Sequence, residues 1–136
     1  MMLTLRPIGR VHSTLLEPHD APKQGVEGAP DAWLEFDPRV EAGLRDLRVG
    51  EDVLVLTWLH RADREMLRVH PRDDPATALH GVFSTRSADR PNPIGLHRVR
   101  IVEIATPTRV RVLDLEAVDG TPILDVKPVL DRTLER

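Results

Sequence analysis

The sequence has no cysteine. That absence excludes disulfides, thiolate zinc sites and a cysteine nucleophile together, and it fits a reducing compartment. Tyrosine is also missing, and two Trp and two Phe are the whole aromatic complement. A protein that stacks base after base of a single strand would want more rings. No apolar run approaches the roughly 20 residues of a membrane span, so neither a transmembrane segment nor a membrane partner is expected. Met1-Met2-Leu3-Thr4-Leu5-Arg6 lacks a basic region followed by an apolar stretch, so no signal peptide is expected and the cytoplasm is the expected location. The formal charge of −3 argues against non-specific coating of nucleic acid, while leaving room for a local basic patch.

Several chemical signatures are absent too. There is no G-x-G-x-x-G between a strand and a helix, no G-x-x-x-x-G-K-[ST] and no Gly-x-Ser-x-Gly. The six histidines, His12, His19, His60, His70, His80 and His97, show no metal-ligand spacing, so no metal is expected unless distant residues converge.

What is present fits one domain over residues 1–136, with 40% hydrophobic and 30% charged residues. Twelve prolines point to rigid turns and few long helices. Residues 3–11 read as a first strand and 12–30 as a long loop, a length at which functional loops are over-represented. Residues 32–36 form a short strand. Asp37-Pro38 then supplies an N-cap and a first-turn proline for a helix reaching about Leu47. Residues 52–59 are almost entirely apolar and read as a strand buried on both faces. Residues 60–80 are polar loop, and 82–85 are strand-like. In residues 96–104, Leu96, Arg98 and Arg100 alternate with His97, Val99 and Ile101. After the turn at Thr106-Pro107-Thr108, residues 109–118 complete an antiparallel hairpin. Asp119-Gly120-Thr121-Pro122 turns the chain into a last strand over 123–126. About six short strands and one helix predict a mainly β protein: a small antiparallel β-barrel with one short helix and long functional loops.

The most unusual stretch is Gly81-Val-Phe-Ser-Thr-Arg-Ser-Ala-Asp-Arg-Pro-Asn-Pro-Ile-Gly95. Pro91 and Pro93 stiffen the backbone that carries Arg90 and Asn92, and rigid display matters because a site misplaced by about 1 Å loses much of its advantage. Arg86, Arg90 and Asn92 suit a carboxylate or a polar heterocycle, since Arg presents a planar donor fork. The competing interpretation is a proline-braced turn whose arginines pair with Asp89 or face water.

This segment resembles the T-R-S-x-x-R-P-N-P-I-G signature of the TrmO/TsaA-like tRNA methyltransferases. Other parts of the family pattern occur in order: Ile8-Gly9 to Ser13, Pro22-Lys23-Gln24, Trp58-Leu59-His60, and Asp119-Gly120-Thr121-Pro122 through Asp125, Lys127 and Pro128. The resemblance implies a homodimeric β-barrel enzyme that uses S-adenosyl-L-methionine to methylate N6 of threonylcarbamoyladenosine in the tRNA anticodon loop. It assigns the cofactor to Pro22, Lys23 and Gln24, to His60 and Arg61, to Arg86, to Leu96, and to Leu113, Asp114, Leu115 and Glu116. For such a transfer, the rigidly displayed Arg90 and Asn92 are expected to bind substrate, with Asn92 orienting its amide, and Asp119, a carboxylate fixed in a turn near the pocket, is expected to act as base.

Each of these residues has a plainer role to set beside the implied one. Lys23 is otherwise a solvated loop charge, Leu96 and Leu115 core residues, Glu116 a partner for Arg98, and Asp119 a turn-former. The sequence also departs from the family. Val129 stands where K-P-Y has tyrosine, and Glu116-Ala117-Val118-Asp119-Gly120 replaces D-[LM]-[VL]-D-G. Larger relatives carry a C-terminal extension beyond the position where this chain stops at Arg136. Two further functions therefore stand beside the first: a methyltransferase using the same cofactor on another acceptor, and a non-catalytic dimeric module that binds an adenosyl ligand.

Overall fold

A computed structural model describes residues 1–23 and 28–130; Gln24 lies outside the described residues. Within them eight strands follow one another: β1 (Gly9–His12), β2 (Ala32–Phe36), β3 (Asp52–Trp58), β4 (Arg68–Val69), β5 (His80–Gly81), β6 (Ile94–Thr106), β7 (Arg109–Leu113) and β8 (Pro122–Pro128). Six close into an antiparallel barrel in the order β1-β2-β7-β6-β3-β8, with β8 returning to β1. The short pair β4–β5 stands apart as a hairpin. Closure leaves the barrel without an open edge, which suits strands this short. The one α-helix among the described residues, α1 (Glu41–Leu44), is a single turn. No helix of the described residues is long and apolar enough to cross a membrane.

The core follows from a period of two. Val53, Val55 and Thr57 of β3, His97, Val99 and Ile101 of β6, and Val110 and Val112 of β7 all point inward and are buried. Each fully buried aliphatic side chain contributes roughly 1.5–3 kcal/mol. Gly9 permits the closest approach in the wall. A Cβ there would stand 2.4 Å from the Glu35 carbonyl oxygen of β2, so only glycine lets β1 pair at that position.

Several expectations need correction. Strand β3 is not buried on both faces: its residues alternate buried with half-buried, because a barrel has one interior. The apolar outer residues Leu54, Leu56 and Trp58 are only partly covered. The first strand starts at Gly9 rather than Leu3. Pro7 has no N–H to offer, and Leu3 and Leu5 are exposed. The helix opens as expected, with the Asp37 side chain accepting the Arg39 N–H, but a 3-10 turn at Pro38–Val40 precedes α1, which ends at Leu44. Residues 82–85 are not a strand. Val82–Ser84 coils into a 3-10 turn, because the Arg90 guanidinium takes carbonyls that a strand would offer to a neighbour. Strand β7 stops at Leu113, where Asp114 enters the left-handed region at φ 69° and swings the chain off the barrel wall.

Candidate active site

Because neighbouring strands run antiparallel, β1, β3 and β7 end on the same rim where β2, β6 and β8 begin. Residues 13–23, 59–93 and 114–121, which follow β1, β3 and β7, therefore gather on one side. They enclose a cavity of about 540 Å³, a size ordinary for a small-molecule site.

Pro22, Lys23, His60, Arg61, Arg86 and Glu116 all line it, so four separate stretches of sequence meet in one place. Arg86 is exposed to the cavity and takes no partner among the described residues. Arg61 donates to the Leu16 carbonyl and the Glu17 carboxylate, both at 2.7 Å, which ties the 13–23 loop to the end of β3. Lys23 pairs with Asp73, lacing the same loop to the 71–73 turn. Arg72 and Asp73 in that turn both have positive φ, 56° and 55°. Non-glycine residues held there cost on the order of 1–3 kcal/mol each, and such strain concentrates at functional sites.

Other expected residues lie elsewhere. Leu96 points outward from β6, opposite Leu56 of β3, and Leu115 is fully buried in the core. Leu113 sits in the β7 wall and Asp114 in the left-handed turn after it. Arg90 does not line the cavity. Its guanidinium donates to the carbonyls of Val82, Thr85 and Ser87 at 2.5–3.1 Å, fixing the 84–89 segment that does line it. Asn92 is exposed and accepts from Arg64, which also donates to the Pro91 carbonyl and lies over the Trp58 ring. Asp119 accepts the Ser13 N–H at 3.0 Å and approaches His12 Nδ1 at 3.2 Å, outside the cavity lining. The proline-stiffened turn is thus a brace behind the cavity wall.

The structure adds residues that sequence reasoning missed. Thr57 Oγ1 lies 2.7 Å from His97 Nε2, and His97 Nδ1 lies 2.7 Å from Glu116 Oε1. An ionised carboxylate only accepts, so Nδ1 carries the proton and donates to Glu116; in the neutral ring Nε2 then accepts from the Thr57 hydroxyl. Thr57 is 0% exposed and the His97 side chain 2%, whereas the Glu116 side chain is 20% exposed and reaches the cavity. Gly95 makes this arrangement possible. A Cβ there would meet Thr57 Oγ1 at 2.3 Å and His97 Nε2 at 2.6 Å. One signal was available: His97 is the polar residue among the buried positions of β6, next to Val99 and Ile101. Of the six histidines, His60, His70, His80 and His97 line the cavity, yet no cluster among the described residues has the geometry to hold a metal ion.

Residues 10–133 match the family described as the tRNA-methyltransferase O N-terminal domain. A probable S-adenosyl-L-methionine-binding protein of Methanothermobacter thermautotrophicus is 40% identical over 128 residues, covering 94% of this chain and 90% of that protein. An S-adenosyl-L-methionine-binding protein of Archaeoglobus fulgidus is 40% identical over 126 residues, covering 92% and 88%. Among solved structures, TrmO from Pseudomonas aeruginosa superposes with a TM-score of 0.73 at 30% identity. That match covers 96% of this chain but only 57% of the other, so this chain spans little more than half of that protein's length. By profile, sequence and fold, the chain belongs to the tRNA-methyltransferase O N-terminal domain family.

Proposed function

We propose that this protein is an S-adenosyl-L-methionine-dependent methyltransferase that N6-methylates threonylcarbamoyladenosine in the tRNA anticodon loop. The observation that carries this reading is the single cavity where Pro22-Lys23, His60-Arg61, Arg86 and Glu116 converge. The residues fit such a cofactor. Arg86, which takes no partner among the described residues, suits its carboxylate, since a guanidinium–carboxylate pair is among the stronger charge-assisted contacts. Ala21, Pro22 and Leu59 give the same cavity an apolar surface for a purine. When bound, the cofactor supplies a methyl group already activated on a sulfonium. The chain's own residues then hold it, align the acceptor and take up its proton.

Family membership and the names of the relatives support the cofactor and the reaction class. The tRNA acceptor has support from the family and from the cations Lys23, Arg72 and Arg86 around the cavity of a chain that is acidic overall. A homodimer in the cytoplasm completes the reading. The outer faces of β3 and β6 support dimerisation: Leu56 pairs with Leu96 and Trp58 with Ile94, leaving apolar surface on the barrel exterior.

Two measurements test the proposal together. Calorimetric titration with S-adenosyl-L-methionine is expected to give saturable binding that Arg86→Ala weakens on the order of tenfold, the scale of one lost charged contact. Labelled methyl transfer into bulk tRNA lacking the modification is expected to mark the threonylcarbamoyladenosine nucleotide. Binding without labelled tRNA contradicts the acceptor, and no binding contradicts the enzyme.

A further inference from the structure

Transfer to a urea-like nitrogen needs a base, because that nitrogen is conjugated and a poor nucleophile while it keeps its proton. Three carboxylates line the cavity among the described residues: Asp73, Asp89 and Glu116. Asp73 pairs with Lys23, and Asp89 accepts the Asp63 N–H at 2.8 Å, so both are occupied in holding loops. Asp119, the carboxylate of the neighbouring turn, is bound to Ser13 and His12 outside the cavity. Glu116 differs in its anchor, which is a buried side chain rather than an exposed loop group. One oxygen is anchored from beneath by a buried imidazole, and the other takes no hydrogen bond from the described residues.

We propose that Glu116 is the general base of the methyl transfer, and that His97 and Thr57 are positioning residues that act through it. This inference rests on the methyltransferase reading above. In the step, the acceptor nitrogen's lone pair forms the bond to the methyl carbon. The carbon–sulfur bond breaks toward sulfur, which becomes a neutral thioether. The acceptor's proton passes to the outward oxygen of Glu116, and water then removes it after product leaves.

The division of labour follows from burial. Thr57 and His97 are held in place by burial and by hydrogen bonds at both ring nitrogens, Nε2 to Thr57 and Nδ1 to Glu116. His97 keeps Nδ1–H aimed at Glu116, restricting a flexible carboxylate to one orientation before the substrate arrives. Such pre-positioning is worth most when the reacting atoms must meet within a few tenths of an ångström. The left-handed Asp114 delivers Glu116 to this place: by leaving the β7 wall there, the chain sends Leu115 into the core and turns Glu116 toward the cavity. Gly95, opposite Thr57 across β3–β6, clears the space.

The test compares Glu116→Gln, His97→Gln, Thr57→Val and Thr57→Ser with the unaltered protein in two readouts. These are calorimetric affinity for S-adenosyl-L-methionine and single-turnover methyl transfer into tRNA bearing unmethylated threonylcarbamoyladenosine. Glu116→Gln keeps size and an acceptor for His97 but loses basicity. Its transfer rate is expected to fall on the order of 100-fold or more, the scale of general-base catalysis, with cofactor affinity held within about threefold. His97→Gln and Thr57→Val are expected to lose about tenfold in rate at similar affinity, and Thr57→Ser to restore most of what Thr57→Val loses. A melting curve on each variant separates these effects from unfolding. If Glu116→Gln loses affinity and rate in equal proportion, Glu116 is a cofactor ligand and the proposal falls. It falls equally if Glu116→Gln transfers at the normal rate, or if Asp119→Asn gives the large loss instead. An unaltered protein that binds cofactor but labels no tRNA overturns the acceptor reading and this inference with it, whereas failure of the variants alone leaves the methyltransferase standing.

Discussion

The inward faces of β3 and β6 carry two different interiors within one pair of strands. Away from the cavity, Val53 faces Val99 across the pair, with Ile101 beyond, and the filling is wholly aliphatic. Toward the cavity, Val55 faces His97 and Thr57 faces Gly95, and the filling becomes a polar chain ending on Glu116. Both halves share the same alternation and the same register. The aliphatic filling occupies the end away from the cavity, and the polar groups gather where the barrel opens. A buried polar chain is tolerated because each member is satisfied: no buried side-chain polar atom among the described residues lacks a partner.

That contrast can be broken from either end. The largest effect on stability is expected from Ile101→Ala, which removes a fully buried side chain from the aliphatic half. Urea denaturation should show a loss of about 2–5 kcal/mol, with cofactor affinity little changed in the protein that remains folded. Next comes Arg90→Ala, which strips a guanidinium from three carbonyls behind the cavity wall. A loss of about 2–3 kcal/mol is expected, together with weakened cofactor binding as the 84–89 wall loosens. Arg90→Lys should not rescue it, because an ammonium cannot reproduce the planar fork. Gly95→Ala attacks the polar half. Overpacking against Thr57 and His97 is expected to cost about 1–3 kcal/mol, and the methyl-transfer rate should fall further than that stability loss accounts for.

The smallest expected effect lies on the barrel exterior. Hydrogen bonding from Arg100, with Arg98 adding to it, holds the Asp52 carboxyl below its ordinary value of 3.8, although partial burial opposes the shift. A depressed carboxylate contributes stability above the unfolded value, and that contribution is lost as pH falls through the folded one. Melting temperatures of the unaltered protein and Asp52→Asn should therefore differ near neutrality and converge well below pH 4, the region set by that 3.8.

Legibility in the sequence followed the range of the forces involved. Strand β2 was read with its observed bounds, and the β6–β7 hairpin with its facing correct, because alternation and turn chemistry are local signals. The barrel followed from the count and spacing of strands. Residues 82–85 were misread because their backbone answers to Arg90, up to eight residues away. The end of β7 was missed because aspartate tolerates positive φ without requiring it, so Asp114 alone does not mark where the strand stops. In the site, motif position brought Pro22, Lys23, His60, Arg61, Arg86 and Glu116 to one cavity. It could not separate side chains that line the cavity from those that brace it. Arg90 and Asn92 stand out in the motif as strongly as Arg86, yet their partners are Val82, Thr85, Ser87 and Arg64. His97 carried a signal, a histidine among aliphatics, whose meaning depended on Glu116 arriving from 19 residues along the chain.

The most direct test is a crystal structure of this chain grown with S-adenosylhomocysteine, the demethylated form of the cofactor. Ligand density is expected inside the rim cavity, with its carboxylate on Arg86 and the outward oxygen of Glu116 left facing the acceptor side. Density bound elsewhere on the barrel, or a ligand whose hydroxyls occupy both oxygens of Glu116, would contradict that placement.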